Sequence, residues 1–189
     1  MPNARDVFNR AVALLDEVDA KTGGAFNATT VTYEARAPFI INLLQDDLVR
    51  VSGFSKQVDV SIDTAIENAV TLPDDCEEAL SVEVLTGGPA NQLRIVQGRV
   101  YPGGSFEGSL RVYYRPILVV VRGLNDEVVD DTQIITAMSW GLARTLVANE
   151  GNDALELFFS REYERHRAGL QQKKIVLKTS VDDVYNFWG

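Results

Sequence analysis

Leu80-Ser81-Val82-Glu83-Val84, Leu93-Arg94-Ile95-Val96-Gln97 and Arg111-Val112-Tyr113-Tyr114-Arg115-Pro116-Ile117-Leu118-Val119-Val120-Val121 all fall within residues 80–121, and their reading decides the fold. In the first, Leu80, Val82 and Val84 alternate with Ser81 and Glu83. In the second, Leu93, Ile95 and Gln97 alternate with Arg94 and Val96. An apolar side chain at every second position suits a strand with one buried face. Gly87-Gly88-Pro89 breaks the chain, and Pro102-Gly103-Gly104-Ser105 is a turn signal. Two β-rich runs flanking a Pro-Gly-Gly segment predict an antiparallel hairpin with a longish loop. Pro116 cannot donate to a ladder, so the second run is expected to bend there or lie at an edge.

Outward from this stretch the apolar period changes from two to that of a helix. Towards the N-terminus, Val58-Asp59-Val60-Ser61-Ile62 alternates like a short strand, and Asp74 or Asp75 after Pro73 is placed to cap a helical turn through Glu77 and Glu78. A helix is expected over about 36–52, with Pro38 in its first turn, Ile40, Leu43, Leu44, Leu48 and Val51 inward, and Gly53 as its stop. Residues 25–32 read as a loop. Residues 4–20 read as an amphipathic helix capped by Asn3, with Asp6 at its positive end. On the other side, Asp130-Asp131 is expected to cap a helix at about 131–149 with Ile135, Met138, Leu142 and Leu146 inward. Asp153 and Glu156 make a capping-box-like start for a fourth, with Leu155, Phe158, Phe159, Tyr163 and His166 on its inner face and an end at Gly169. The short connection at 149–152 implies an antiparallel pair.

The chain has 189 residues, 46% of them hydrophobic, and no composition shift that marks a second domain. A chain of this length buries roughly 70% of its unfolded surface and needs no staple. Cys76 is the only cysteine, which excludes an intrachain disulfide and points to a reducing compartment. Asp6 and the lack of an apolar stretch near Met1 argue against a signal peptide. The longest apolar run, Ile117 to Val121, is far short of the ~20 residues of a membrane span. The formal charge of −9 argues against a protein that grips nucleic acid, which needs Lys and Arg to displace counterions.

Residue types that carry chemistry are sparse. His166 is the only histidine, and with Cys76 far away in sequence no zinc ligand set is expected. No strand-turn-helix elbow presents a serine to it. The acid pairs Asp46-Asp47, Asp74-Asp75, Glu77-Glu78, Asp130-Asp131 and Asp182-Asp183 cannot share a helix face as sequence neighbours, and three sit near expected helix starts, where capping explains them. Gly103-Gly104-Ser105-Phe106-Glu107-Gly108 lacks the Lys-Ser/Thr and helix of a phosphate loop and reads as a hairpin tip. No catalytic, cofactor-binding or metal-binding residues are expected.

The end of the chain is different. Residues 161–189 carry Arg161, Arg165, Arg167, Lys173, Lys174 and Lys178 against Glu162, Glu164, Asp182 and Asp183, a mildly basic end on an acidic protein. Chance and solvated faces explain such an imbalance, as does a basic arm meeting an acidic neighbour. Lys173-Lys174 leads into a β-like stretch, Ile175-Val176-Leu177-Lys178-Thr179-Ser180, and the chain closes with Val184, Tyr185, Phe187 and Trp188. Aromatic side chains at a terminus need burial. They either fold back on their own domain or insert into a neighbour, where Trp and Tyr are frequent anchors. Ile175-Val176-Leu177 would suit addition to a partner's sheet edge. Lys173, Lys174, Ile175, Val176, Leu177, Val184, Tyr185, Phe187 and Trp188 are the expected partner-binding residues.

The succession of these pieces resembles the tailed-bacteriophage head–tail connector, or portal adaptor, family. The resemblance is carried by Tyr33-Glu34-Ala35-Arg36-Ala37-Pro38-Phe39-Ile40-Ile41-Asn42-Leu43-Leu44 after the opening helix, then Leu72-Pro73-Asp74-Asp75, Tyr114-Arg115-Pro116, Trp140-Gly141-Leu142-Ala143 and Phe159-Ser160-Arg161-Glu162-Tyr163-Glu164. It covers most of the chain in order. It implies a structural, non-enzymatic virion protein: a ring, typically of twelve copies, in the virion neck, assembled in the host cytoplasm. The ring binds the portal protein, extends the channel through which DNA passes without specific binding, and presents a surface to a tail or stopper protein. The family's C-terminal arm would fall here on 173–189, while the long β region departs from the pattern. The expected fold is α+β: an antiparallel bundle of about four helices (1–170) with a small antiparallel β insertion at about 80–121, and an extended C-terminal arm (171–189). Another neck or tail-completion protein, or a small intracellular enzyme or ligand-binding α+β domain, are the alternatives.

Overall fold

The computed structural model describes residues 1–22, 30–63, 69–87, 91–96, 98–103, 105–148 and 153–185, with the backbone alone for 16–22, 30–32, 91–93, 103 and 172–185. It is a mixed α+β fold with, among the described residues, four helices and two small antiparallel sheets. The chain divides into a helical unit, Met1–Gly53 with Leu118–Gly189, and a β unit, Phe54–Ile117. The β part therefore begins at Phe54 instead of near 80. The alternating run at 58–62 belongs to it, and 118–121 does not.

In the helical unit, α1 (Ala4–Thr22) starts as its sequence predicts. The Asp6 N–H donates to Asn3 Oδ1 at 3.0 Å, and the Asn3 N–H donates to Asp6 Oδ2 at 3.0 Å, a reciprocal cap. The next orphan donors of the first turn find carbonyls far along the chain: Ala4 N–H donates to Asp126 O (2.9 Å) and Arg5 N–H to Leu124 O (2.7 Å). α3 (Thr132–Ala148) is capped by Asp131, whose Oδ1 accepts from the Gln133 and Ile134 N–H groups at 2.8 and 3.1 Å.

α3 is the inner helix and packs against the other three. Ile135, Met138, Leu142 and Leu146 are buried as expected, joined by Ile134, Ala137, Ser139, Gly141, Ala143 and Val147. At Gly141 an added Cβ would lie 2.7 Å from Leu44 Cδ2 and 2.9 Å from Tyr163 Cε2. The absent side chain is what lets α2 (Thr30–Ser52) and α4 (Asp153–Tyr185) both close on α3 there.

α2 departs from the sequence reading. It begins at Thr30, so Pro38 lies inside the helix and not in its first turn. Pro38 cannot donate to the carbonyl of Glu34, a cost that helix interiors rarely tolerate. What compensates is a buried line that starts before it: Tyr33, Ala37, Ile41, Gln45, Leu48, Val49 and Ser52. Leu43 points outward instead of inward. Leu48 is buried and Leu44 packs on α3 at Gly141 as expected, and the buried amide of Gln45 joins that inner face.

That amide has a defined task. Gln45 Nε2–H donates to Val119 O (3.2 Å), and Gln45 Oε1 accepts from Val129 N–H (2.9 Å). Three residues earlier, Asn42 Nδ2–H donates to Val121 O (2.7 Å) and Asn42 Oδ1 accepts from Val121 N–H (2.8 Å). Two side-chain amides thus stand in for a neighbouring strand and hold residues 119–129 along α2. Asp126 closes the turn within this segment by accepting from Arg122 and Gly123 N–H groups at 2.7 and 2.9 Å.

α4 does not end at Gly169, where a Cβ would meet open space. Its backbone runs past that point, with the helix bounded at Tyr185.

The β unit comprises β1 (Lys56–Asp63), β2 (Val70–Thr71), β3 (Cys76–Gly87), β4 (Asn91–Val96), β5 (Arg99–Gly103) and β6 (Glu107–Pro116). The sheets have orders β1-β6-β3 and β2-β5-β4. The two runs flanking Pro102-Gly103-Gly104, expected to pair as a hairpin, fall in different sheets, the first in β4 and the second in β6, which instead pairs antiparallel with β3 and β1. β6 is the central strand, and Pro116 is its last residue, where a missing donor breaks no ladder. β5 and β6, on either side of the expected tip, belong to different sheets, and it is β4 and β5 that pair as neighbours, with Val96 opposite Arg99 and Gly98 at φ +71°. Asp74-Asp75 caps no helix. Cys76 N–H donates to Pro73 O (2.9 Å) in a turn that leads directly into β3. Ile62, Leu72, Val100, Phe106, Leu110 and Val112 form the unit's core. The opposite face of β6 is polar: Arg111 makes a two-point pair with Asp59 (2.7 and 2.9 Å), and Arg115 pairs with Glu78 (2.7 Å).

Candidate interaction surfaces

The helical unit exposes more apolar surface than its period requires. On α2, Phe39 and Leu43 are 69% and 58% exposed. At about 100° per residue they lie opposite the buried line through Ala37, Ile41 and Gln45. Beside them, Val119 and Val120 stand exposed on the segment that Asn42 and Gln45 hold. On α4, Leu157 and Phe158 are 53% and 42% exposed. Phe158 belongs to an aromatic group: edge-on to Phe159 (5.3 Å) and to Trp140 (6.2 Å), with Trp140 stacked on His166 at 5.8 Å and 18°. Burial holds the His166 imidazole below its ordinary pKa, and Arg165 adds to this. It is a ring in an aromatic stack, neutral near pH 7.

Several charged groups are committed to one another. Arg167 makes two bonds to Asp47 (2.9 and 3.1 Å), and Tyr163 OH donates to the same carboxylate (3.3 Å). The Arg144 guanidinium lies 5.6 Å over the Tyr163 ring. The Arg167 hydrogen bond holds the Asp47 carboxyl below its ordinary pKa, and burial pushes Tyr163 up to about 12. An acid that stays ionised near neutrality and a phenol that does not titrate there form a clamp between α2 and α4, not a proton-transfer pair. The acid pairs divide in the same way: Asp46 bonds Arg50 (3.0 Å) while Asp47 bonds Arg167, Lys56 holds Asp75 (2.7 Å), and Arg115 holds Glu78. Cys76 is half-buried, and desolvation raises its thiol pKa.

No group of three or more His, Cys, Asp or Glu among the described residues could hold a metal ion. A cleft of about 250 Å³ between α1 and α3 is lined by Arg10, Ala13, Leu14, Thr136, Ser139 and Trp140, but its buried hydroxyl, Ser139 Oγ, already donates to Ile135 O (2.9 Å). No helix among the described residues is long and apolar enough to cross a membrane.

Of the expected partner-binding residues, Lys173, Lys174, Ile175, Val176, Leu177, Val184 and Tyr185 lie on the backbone of α4 beyond the last described side chains. Phe187 and Trp188 lie outside the described residues. The sequence reading missed the α2 surface by turning Leu43 inward, and likewise placed Phe158 inside. The signal was present: Phe39-Ile40-Ile41-Asn42-Leu43-Leu44 holds more apolar residues than one face can bury. A scan against protein-family models and a search of curated proteins both find no match to this chain.

Proposed function

We propose that this chain is a structural adaptor of a tailed-phage neck, a ring subunit that joins the portal to tail components and extends the DNA channel. The observation that carries the reading is the order of parts: two helices, a β unit at Phe54–Ile117, then two helices, with the sequence pieces that resemble portal adaptors distributed along them in succession. The apolar surfaces on α2 and α4 support a protein that meets other chains. Asp47, Asp75 and Glu78 are held in ion pairs, as in a scaffold. A net negative charge suits a conduit, because it repels passing phosphate. The residues proposed to enter the portal are Lys173 to Leu177, Val184, Tyr185, Phe187 and Trp188.

The test is capture of the full chain on immobilised portal rings of the same virus. The adaptor reading expects binding by the natural chain and a loss of at least tenfold in the Phe187→Ala/Trp188→Ala variant. Equal binding by both would remove the arm from the interface, and no binding by either would remove the adaptor role.

A further inference from the structure

Where the helical unit resumes at Leu118, the chain has one edge filled and one edge open. Leu118 to Arg122 runs without a turn or bend. Its hydrogen bonds to α2 fall on alternate residues. Val119 O accepts from Gln45 Nε2–H, while Val121 gives its N–H to Asn42 Oδ1 and accepts from Asn42 Nδ2–H. This alternation is that of a strand, whose successive residues turn their N–H and C=O groups to opposite edges. The groups of Leu118 and Val120 therefore face away from Asn42 and Gln45, and among the described residues they have no partner. Buried backbone groups are almost always paired, so these lie at the surface. The side chains of Val119 and Val120, each more than half exposed, agree.

We infer that this edge receives an extended strand from a different protein. The strand pairs with the backbone of Leu118 and Val120, packs on the Val119 and Val120 side chains, and carries an acidic residue beside Arg122. Open donors and acceptors at strand spacing are matched by another extended backbone. An α-helix spends its backbone groups on itself and cannot match them. Arg122 gives the partner its charge. It is exposed and makes no ion pair among the described residues; Asp126 answers part of its charge through space, but uses one carboxylate oxygen on the Arg122 and Gly123 N–H groups. The same segment of a second copy, Leu118-Val119-Val120-Val121-Arg122, has no acid to offer, which favours a different chain as the occupant. This surface is separate from the C-terminal residues proposed to enter the portal and does not depend on them.

The probe is an acetylated, amidated hexapeptide in which valine and threonine alternate and one end is glutamate. It is titrated into the full natural chain while amide hydrogen exchange is followed by NMR. In the free chain the Val121 amide, held by Asn42, is expected to exchange slowly and the Leu118 and Val120 amides quickly. The peptide is expected to bind with a Kd of about 1 mM or tighter. At saturation it should slow exchange at Leu118 and Val120 by about fivefold or more. Lysine in place of glutamate should weaken binding about threefold or more, and N-methylation of every peptide amide should abolish it. Val120→Pro removes a donor from the open edge and leaves the bonds of Val119 and Val121, so it should lose about fivefold or more in affinity. A thermal melt checks that this variant folds; if it does not, the N-methylated peptide on the natural chain decides. Absence of binding, binding that N-methylation leaves unchanged, or equal binding of the glutamate and lysine peptides overturns the inference. So does a dimer of the natural chain, seen by sedimentation without peptide and protected at the same two amides, because it makes a second copy the occupant. Each of these outcomes leaves portal capture to be decided on its own.

Discussion

At the scale of single residues, a few buried polar side chains set the arrangement of the helical unit. Gln45 is buried and serves two backbone partners, Val119 O and Val129 N–H. Gln45→Leu keeps the volume and strands both groups, so it should cost about 2–4 kcal/mol in urea unfolding. Phe39→Ser, at an exposed site on the same helix, should change stability by about 0.5 kcal/mol or less in the same measurement. Asp47 gives a pH signature. Its folded pKa lies below that of an ordinary aspartate, chiefly through the Arg167 hydrogen bond. The stabilisation is therefore complete above the unfolded carboxyl pKa and is lost as pH falls through the folded one. The side chain is 42% exposed, so solvent screens the pair to about 0.5–1 kcal/mol. Asp47→Asn should flatten the acid limb of a stability–pH curve below pH 3.8 and lower the plateau at neutral pH. A variant with the same acid limb as the natural chain would remove the clamp from the stability account.

At the scale of elements, the sequence was clearest where a local rule was enough. Asn3 with Asp6 and Asp131 at α3 are caps that three or four residues specify, and both formed. The inner face of α3 followed its period because that helix is buried on most sides. The failures have a tertiary cause. Pro38 and the β-branched Thr30-Val31-Thr32 run marked a later start for α2, but the buried stripe Tyr33, Ala37, Ile41 extends the helix through them. The interior place of Gln45 depends on residues 119–129, which no local pattern links to α2. The β4–β5 tip was hidden because Gln97-Gly98 is a weaker signal than the Pro-Gly-Gly run nearby. Of the expected partner-binding residues, the sequence picks out composition and little geometry, since those side chains fall beyond the described ones. A packing prediction belongs at this scale. Gly141→Ala places a methyl against Leu44 and Tyr163, and Tyr163 is held by Asp47 and Arg144, so it should cost about 1–3 kcal/mol by thermal unfolding. A neutral result would mean that α2 and α4 give way there freely.

At the scale of the molecule, a helical unit made from both ends of the chain brackets a β unit made from its middle, and each has its own core. The helical unit is tied by α3, by the Asp47–Arg167–Tyr163 clamp and by the two amides of α2, while leaving Phe39, Leu43, Leu157 and Phe158 to solvent. Such a division suits a protein whose work is done on its surface by other chains. The measurement that tests this most directly is electron cryo-microscopy of purified portal rings incubated with the natural chain. The adaptor account predicts a second ring of density beneath each portal. Bare portals in the presence of excess folded chain would contradict it.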